Sequence, residues 1–237
     1  MPREIKQDLL ELRSFLNDYS LSDLLKNDSF NSFISKQHKK YFSYLTFIAE
    51  LQNIVADSSF DNILLKSQFY FIKESCSDVG IAFFLTFHGS YKSSKLLLRS
   101  SIETFLKGFC LDDLPDIDKE TSISGLFKKI KKLIFFNKKP SKEIIETIHQ
   151  NYKSLCEDAH TATDLNMANI SALNYFPRFE EAEAQKVSNF SLKLIPNYLA
   201  LLSLKYNKQF HRFHYENRSI IINSISKKYR QIINNIK

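Results

Sequence analysis

The side chains best suited to chemistry lie in "HQNYKSLCEDAH", residues 149–160. At helical spacing His149, Tyr152, Cys156 and His160 share one edge. His160 closes the periodic pattern directly behind Glu157 and Asp158, and the text after it turns small and polar. A His there fits three roles. It is a general acid/base, because imidazole titrates near neutrality. It is a metal ligand. Or it is a cation seated on the negative end of a helix dipole.

A second constellation sits in "YKSSKLLLRSSIETFLKGF", residues 91–109. On a helical wheel Tyr91, Leu98, Ile102, Phe105, Leu106 and Phe109 form an apolar arc, which Leu96 extends. Arg99 and Glu103 fall inside the extended arc, four residues apart and able to touch. A charge facing a core is costly unless paired. The pair therefore either fixes helix register or builds a polar site between helices.

A third is a lysine run. Lys128, Lys129, Lys131, Lys132, Lys138, Lys139 and Lys142 interleave with Phe127, Phe135 and Phe136. Such a strip tracks nucleic-acid phosphates or forms the solvated face of an amphipathic helix. Lys227, Lys228, Arg230 and Lys237 add positive charge near the C-terminus. The acidic loop Asp112, Asp113, Asp116, Asp118 and Glu120 is either a cation site or simply solvated; no metal is assigned to it, and no cofactor to the chain. HExxH, Walker A, GxSxG, GxGxxG and zinc-finger spacings are absent, which argues against NTPases, α/β-hydrolases and Rossmann enzymes.

The elements that must position these groups read as helices almost throughout. Of 237 residues 43% are hydrophobic and 25% charged, enough for a sizeable core, while 4 Gly and 5 Pro are too few for a many-stranded fold. Periodicity predicts helices over residues 3–18, 30–56, 61–87, 91–111, 141–159 and 179–206, and a last one from Asn217 to the C-terminus. Ser20 or Ser22, Ser90 and Ser141 are candidate N-caps, Gly89 marks a corner, and Pro196 predicts a kink or a break. The net charge of +7 suits acidic partners. Cys76, Cys110 and Cys156, without a CxxC, fit reduced thiols. The opening "MPREIKQDLLEL" has no apolar signal core, and the longest uncharged stretch, Val79 to Tyr91, is too short to span a bilayer. The expectation is a cytoplasmic protein that does not associate with membranes.

"FHGSYKSSKLLLRSSIE", residues 87–103, followed by "YKSLCEDAH", residues 152–160, resembles the HEPN superfamily of helical bundles: a Gly-Tyr corner, an Arg-x3-Glu helix, and a later helix with Tyr ahead of a terminal His. The resemblance covers residues 61–206. It implies an all-α, HEPN-like multi-helix bundle over residues 61–237, preceded by an N-terminal helical extension over residues 1–60. Many HEPN proteins are metal-independent ribonucleases of defence and toxin systems, with an Arg followed four to six residues later by a His. No Arg in this sequence has a His at that spacing, so Arg99 and His160 meet only through the fold. Three functions follow. The chain is a non-catalytic subunit of a bacterial anti-phage assembly, binding a partner encoded nearby and RNA or DNA through the lysine strip. It is a ribonuclease using Arg99 and His160, with Glu103 and Tyr152 orienting them. Or it senses a nucleotide or small ligand within the bundle. The first is the expectation, because the short Arg/His signature is missing. The resemblance also makes a homodimer an expectation.

Overall fold

The computed structural model describes residues 21, 23–56, 66–159 and 178–235, and among these every regular element is a helix. The chain runs through α1 (Asp28–Ala56), α2 (Lys66–Phe87), α3 (Tyr91–Cys110), α4 (Ile123–Ile130), α5 (Ser141–Ala159), α6 (Glu181–Lys205), α7 (Asn207–Phe210), α8 (Tyr215–Ser224) and α9 (Lys227–Asn235). Short 3-10 turns occupy Leu24–Lys26, Ile117–Lys119 and Ile134–Phe136. No described helix is long and apolar enough to cross a membrane.

Helix ends follow local chemistry. Asn27 caps α1, its Oδ1 accepting from the Ser29 and Phe30 amides at 2.8 and 3.3 Å. The expected caps Ser20 and Ser22 lie outside the described residues. The α2–α3 corner is closed by backbone: Ser90 N–H reaches Leu85 C=O at 2.8 Å and Gly89 N–H reaches Thr86 C=O at 3.1 Å. This is the double closure of a Schellman motif, with Gly89 at φ +77° as the left-handed residue it needs. Ser90 is thus engaged in ending α2, and its side chain does not cap α3. Ser141, expected as the cap of α5, is instead that helix's first residue. Ser122 does cap α4, accepting from Gly125 N–H at 3.2 Å.

Helices α2 and α3 pack as a tight hairpin. Ser94 Oγ lies 2.8 Å from Thr86 Oγ1 and donates to Ala82 C=O at 2.8 Å. A Cβ on Gly108 would come within 2.7 Å of Phe71 Cβ, so a hydrogen there lets the two backbones close. Helix α6 runs unbroken through Pro196, so the expected break does not occur. The single C-terminal helix expected from Asn217 is divided: Ile225 turns extended (ψ 150°) and buries its side chain, and α9 restarts at Lys227.

One continuous core joins these elements. Tyr44, Phe47 and Leu51 of α1 meet Ile72 and Val79 of α2, Leu98, Ile102, Phe105 and Phe109 of α3, Ile144, Ile148 and Leu155 of α5, and Leu194, Tyr198 and Leu199 of α6. Tyr198 stacks on Phe105 at 4.0 Å. Helix α1, which falls within the expected N-terminal extension, therefore packs into the same core as the rest. The α3 arc faces this core, but Leu96 does not extend it: lying past Arg99 and Glu103 on the wheel, it is 43% exposed.

Candidate functional site

Helices α3 and α5 bring Arg99, Glu103 and Tyr152 together. Arg99 Nε donates to the Tyr152 hydroxyl at 2.8 Å and to Glu103 Oε1 at 3.3 Å, and the Tyr152 hydroxyl donates to the same Oε1 at 2.8 Å. The guanidinium also sits 5.4 Å from the Tyr152 ring centroid. Tyr152 is buried, whereas the Arg99 and Glu103 side chains keep 32% and 36% of their surface. Helical spacing sets the Arg–Glu contact. The inward face of α5, where Ile148, Tyr152 and Leu155 point at the core, sets the third member.

The electrostatics follow from this closure. Burial pushes the Tyr152 phenol up, and its bond to Glu103 and the nearby Cys156 thiol push it further, against the opposing pull of Arg99. Tyr152 is held as a neutral donor. For Arg99, burial pulls down, but Tyr152, Cys156 and Glu103 outweigh it and the net shift is upward. No described residue accepts a hydrogen bond from the terminal nitrogens of Arg99. His160, expected to complete this group, lies outside the described residues.

The lysine strip adjoins the cluster through one aromatic residue. Phe127 of α4 meets the Tyr152 ring edge-on at 5.9 Å and stacks on His149 at 4.1 Å. Lys131 Nζ lies 3.0 Å from His149 Nδ1 and 2.8 Å from Glu146 Oε2. An ammonium only donates, so Nδ1 is the acceptor and the ring proton sits on Nε2. Burial lowers the His149 pKa, and Lys131 and Lys153 lower it further.

Of the candidate phosphate contacts, Lys129 pairs with Glu120 at 2.7 Å, Lys131 with Glu146, and Lys139 with Glu143 at 2.9 Å. Lys128, Lys132, Lys138 and Lys142 are exposed and pair with no described carboxylate. Lysines also answer the acidic loop: Lys205 bridges Asp112 and Asp113, Lys119 binds Asp116, and Lys129 binds Glu120. Among the described residues no group of three or more His, Cys, Asp or Glu could hold a metal ion.

Sequence reasoning missed Phe127 as the link between cluster and strip. The available signal was its place in the α4 pattern, where Leu126, Phe127 and Ile130 are the buried side chains between exposed lysines. Compared with protein-family models, with curated proteins and with solved structures, the chain matches none.

Proposed function

We propose that this chain is a non-catalytic helical subunit of a bacterial defence assembly, docking a protein partner and holding nucleic-acid phosphates on the strip around α4. The carrying observation is the internal closure of the Arg99 cluster. One Glu103 oxygen accepts from both Arg99 and Tyr152, and the phenol is held protonated. Groups bound to each other in this way lock two helices in register and leave none of the three as a ready base. Two further features support docking. On α2, Ile81 and Phe84 stand one turn apart and are 51% and 59% exposed, an apolar spot suited to a protein. On the strip, Lys128, Lys132 and Lys138 stay exposed without an acidic partner among the described residues. The defence setting rests on the HEPN resemblance alone, as does a homodimer.

Co-expression with the products of neighbouring genes tests this reading. The expected result is a stoichiometric complex that Phe84→Asp disrupts, and RNA or DNA binding that weakens steeply with salt unless Lys128, Lys132 and Lys138 are reversed. A monomer that cleaves RNA without metal would overturn it.

One observation favours the ribonuclease reading. The terminal nitrogens of Arg99 have no described acceptor, and a guanidinium fork suits a phosphate. In that case Arg99 steadies the scissile phosphate and His160 moves the 2′-hydroxyl proton. RNA cleavage that disappears in His160→Ala with folding intact would establish it.

A further inference from the structure

An open depression of about 420 Å³ lies where α1, α6 and the α8–α9 junction meet, with Thr147 of α5 on its wall. Four cations line it: Lys40 from α1, Lys193 from α6, and Lys227 and Arg230 from α9. None of the four forms an ion pair with a described carboxylate. Lys228 also lines the cavity but reaches outward to Glu143 at 3.2 Å. No acidic side chain contributes to the wall.

Backbone carbonyls hold two of these cations in place. Lys40 Nζ donates to Ser224 C=O at 2.8 Å, and Arg230 donates through Nε to Ile225 C=O and through Nη2 to Asn223 C=O, each at 2.8 Å. Those three consecutive carbonyls finish α8, where orphan acceptors are expected. Capping accounts for where Lys40 and Arg230 sit. It does not account for Lys193 and Lys227, whose side chains hydrogen-bond to no described residue. Nor does it neutralise the charge, since a helix end offers only a partial negative charge. Burial lowers the Lys40 pKa, and the like charges of Arg230 and Lys39 lower it further, so the ammonium lacks a counter-charge. The cavity also takes in the start of α9, whose leading N–H groups add positive potential.

We propose that this cavity binds a small ligand carrying two or more phosphates. Four convergent cations exceed what a single carboxylate requires, and phosphate oxygens match both the ammonium groups and the guanidinium. The volume falls in the range of small-molecule sites, about 300–1,000 Å³. Leu192, Pro196 and Ile225 supply an apolar wall for an organic moiety. The charges come from α1, α6 and α9 around one depression rather than along a single helix, which suits a compact ligand. This inference is independent of the function proposed above.

Isothermal titration of the full chain with pyrophosphate, with ATP, and with a single-stranded RNA oligonucleotide tests it. Lys193 and Lys227 are exposed, so Lys193→Glu and Lys227→Glu preserve the fold, which thermal melting verifies. Saturable one-to-one binding of pyrophosphate and ATP is expected. It should weaken at least about tenfold in the double variant, roughly 1.4 kcal/mol, and stay within about twofold in Lys132→Glu on the α4 strip. Three results would overturn the proposal: no heat from pyrophosphate or ATP at millimolar concentration, binding unchanged by the double variant, or an RNA that binds through Lys193 and Lys227 where pyrophosphate does not.

Discussion

The Arg99 cluster and the Lys40 cavity use the same kinds of charge to opposite ends. At the cluster, the Arg99 cation meets a full carboxylate and a phenol, and Glu103 Oε1 accepts from both. At the cavity, Lys40 and Arg230 meet only main-chain carbonyls, and Lys193 and Lys227 meet no described partner. The first arrangement cancels its monopoles within the fold, so its energy goes into fixing α3 against α5. The second keeps its monopoles, so its potential is available to an incoming anion. Residue type alone does not separate a structural cation from a binding one. The charge of whatever each nitrogen touches does.

The largest effect is expected where the cluster's supporting frame is set. Gly89 takes φ +77°, and a Cβ there would sit 2.1 Å from the Arg178 carbonyl oxygen. Beside it the Tyr91 hydroxyl accepts from Glu180 N–H at 2.6 Å, pinning the start of α6 to the α2–α3 corner. Gly89→Ala adds left-handed strain to a backbone collision and should cost about 2–4 kcal/mol in urea unfolding. A loss near 1 kcal/mol would mean that the corner yields freely and does not anchor the frame.

Next in size is the cluster itself. Glu103→Ala leaves the Arg99 charge without its carboxylate and the Tyr152 O–H without its acceptor, while the Arg99–Tyr152 bond remains. Because Arg99 and Glu103 are each about a third exposed, the fully buried penalty does not apply, and about 1–2 kcal/mol is expected. A double-mutant cycle of Glu103→Ala with Tyr152→Phe should give a coupling of about 0.5–1.5 kcal/mol. Strict additivity would show that the three groups are neighbours without interaction.

The cavity should respond with the opposite sign. Lys193→Ala removes one of several like charges and strands no partner, so stability should hold or rise by up to about 0.5 kcal/mol. A clear loss would reveal an acidic partner and erase the contrast between the two regions.

These regions differ as much in legibility as in charge. Arg99 with Glu103 was readable because both lie on one helix, where i, i+4 spacing dictates contact. Tyr152 was readable because the α5 stripe shows which edge it occupies. Helices α3 and α5 were bounded closely by Gly89, Pro140 and their apolar periods. The cavity was not readable: Lys40 is separated from Lys193 and Arg230 by most of the chain, and only tertiary packing brings them to one wall. The α8–α9 break was hidden because Ile225 keeps the apolar pattern of a helix while leaving helical geometry to bury its side chain. The cap at Ser90 failed because the corner holds its backbone at φ −80° and ψ 61°, outside the extended geometry from which a side chain caps.

The smallest effect lies between the cluster and the strip, and it tests whether Lys131 is anchored as the structure has it. His149 stacks on Phe127 and accepts from Lys131, which holds the ring neutral. Its pKa falls below the ordinary 6.5, through burial first and then through Lys131 and Lys153. The unfolded chain therefore takes up this proton near pH 6.5, while the folded chain resists until the pH is lower. Between those two values the unfolded state holds more protons, so His149's contribution to stability declines as pH falls through that window and levels off below the folded pKa. Glu146 opposes the shift, and the ring is only partly buried, so the slope is shallow. Melting temperatures followed from about pH 7.5 down to about pH 5, for the native chain and for His149→Gln, isolate this residue from the other five histidines. The native curve should drop more steeply below pH 6.5 than the variant's, and Lys131→Met should move the His149 titration seen by NMR back toward its ordinary value. Parallel melting curves, or a titration that ignores Lys131, would mean that Lys131 does not rest on His149 in solution, and would return that lysine to the strip's free charges.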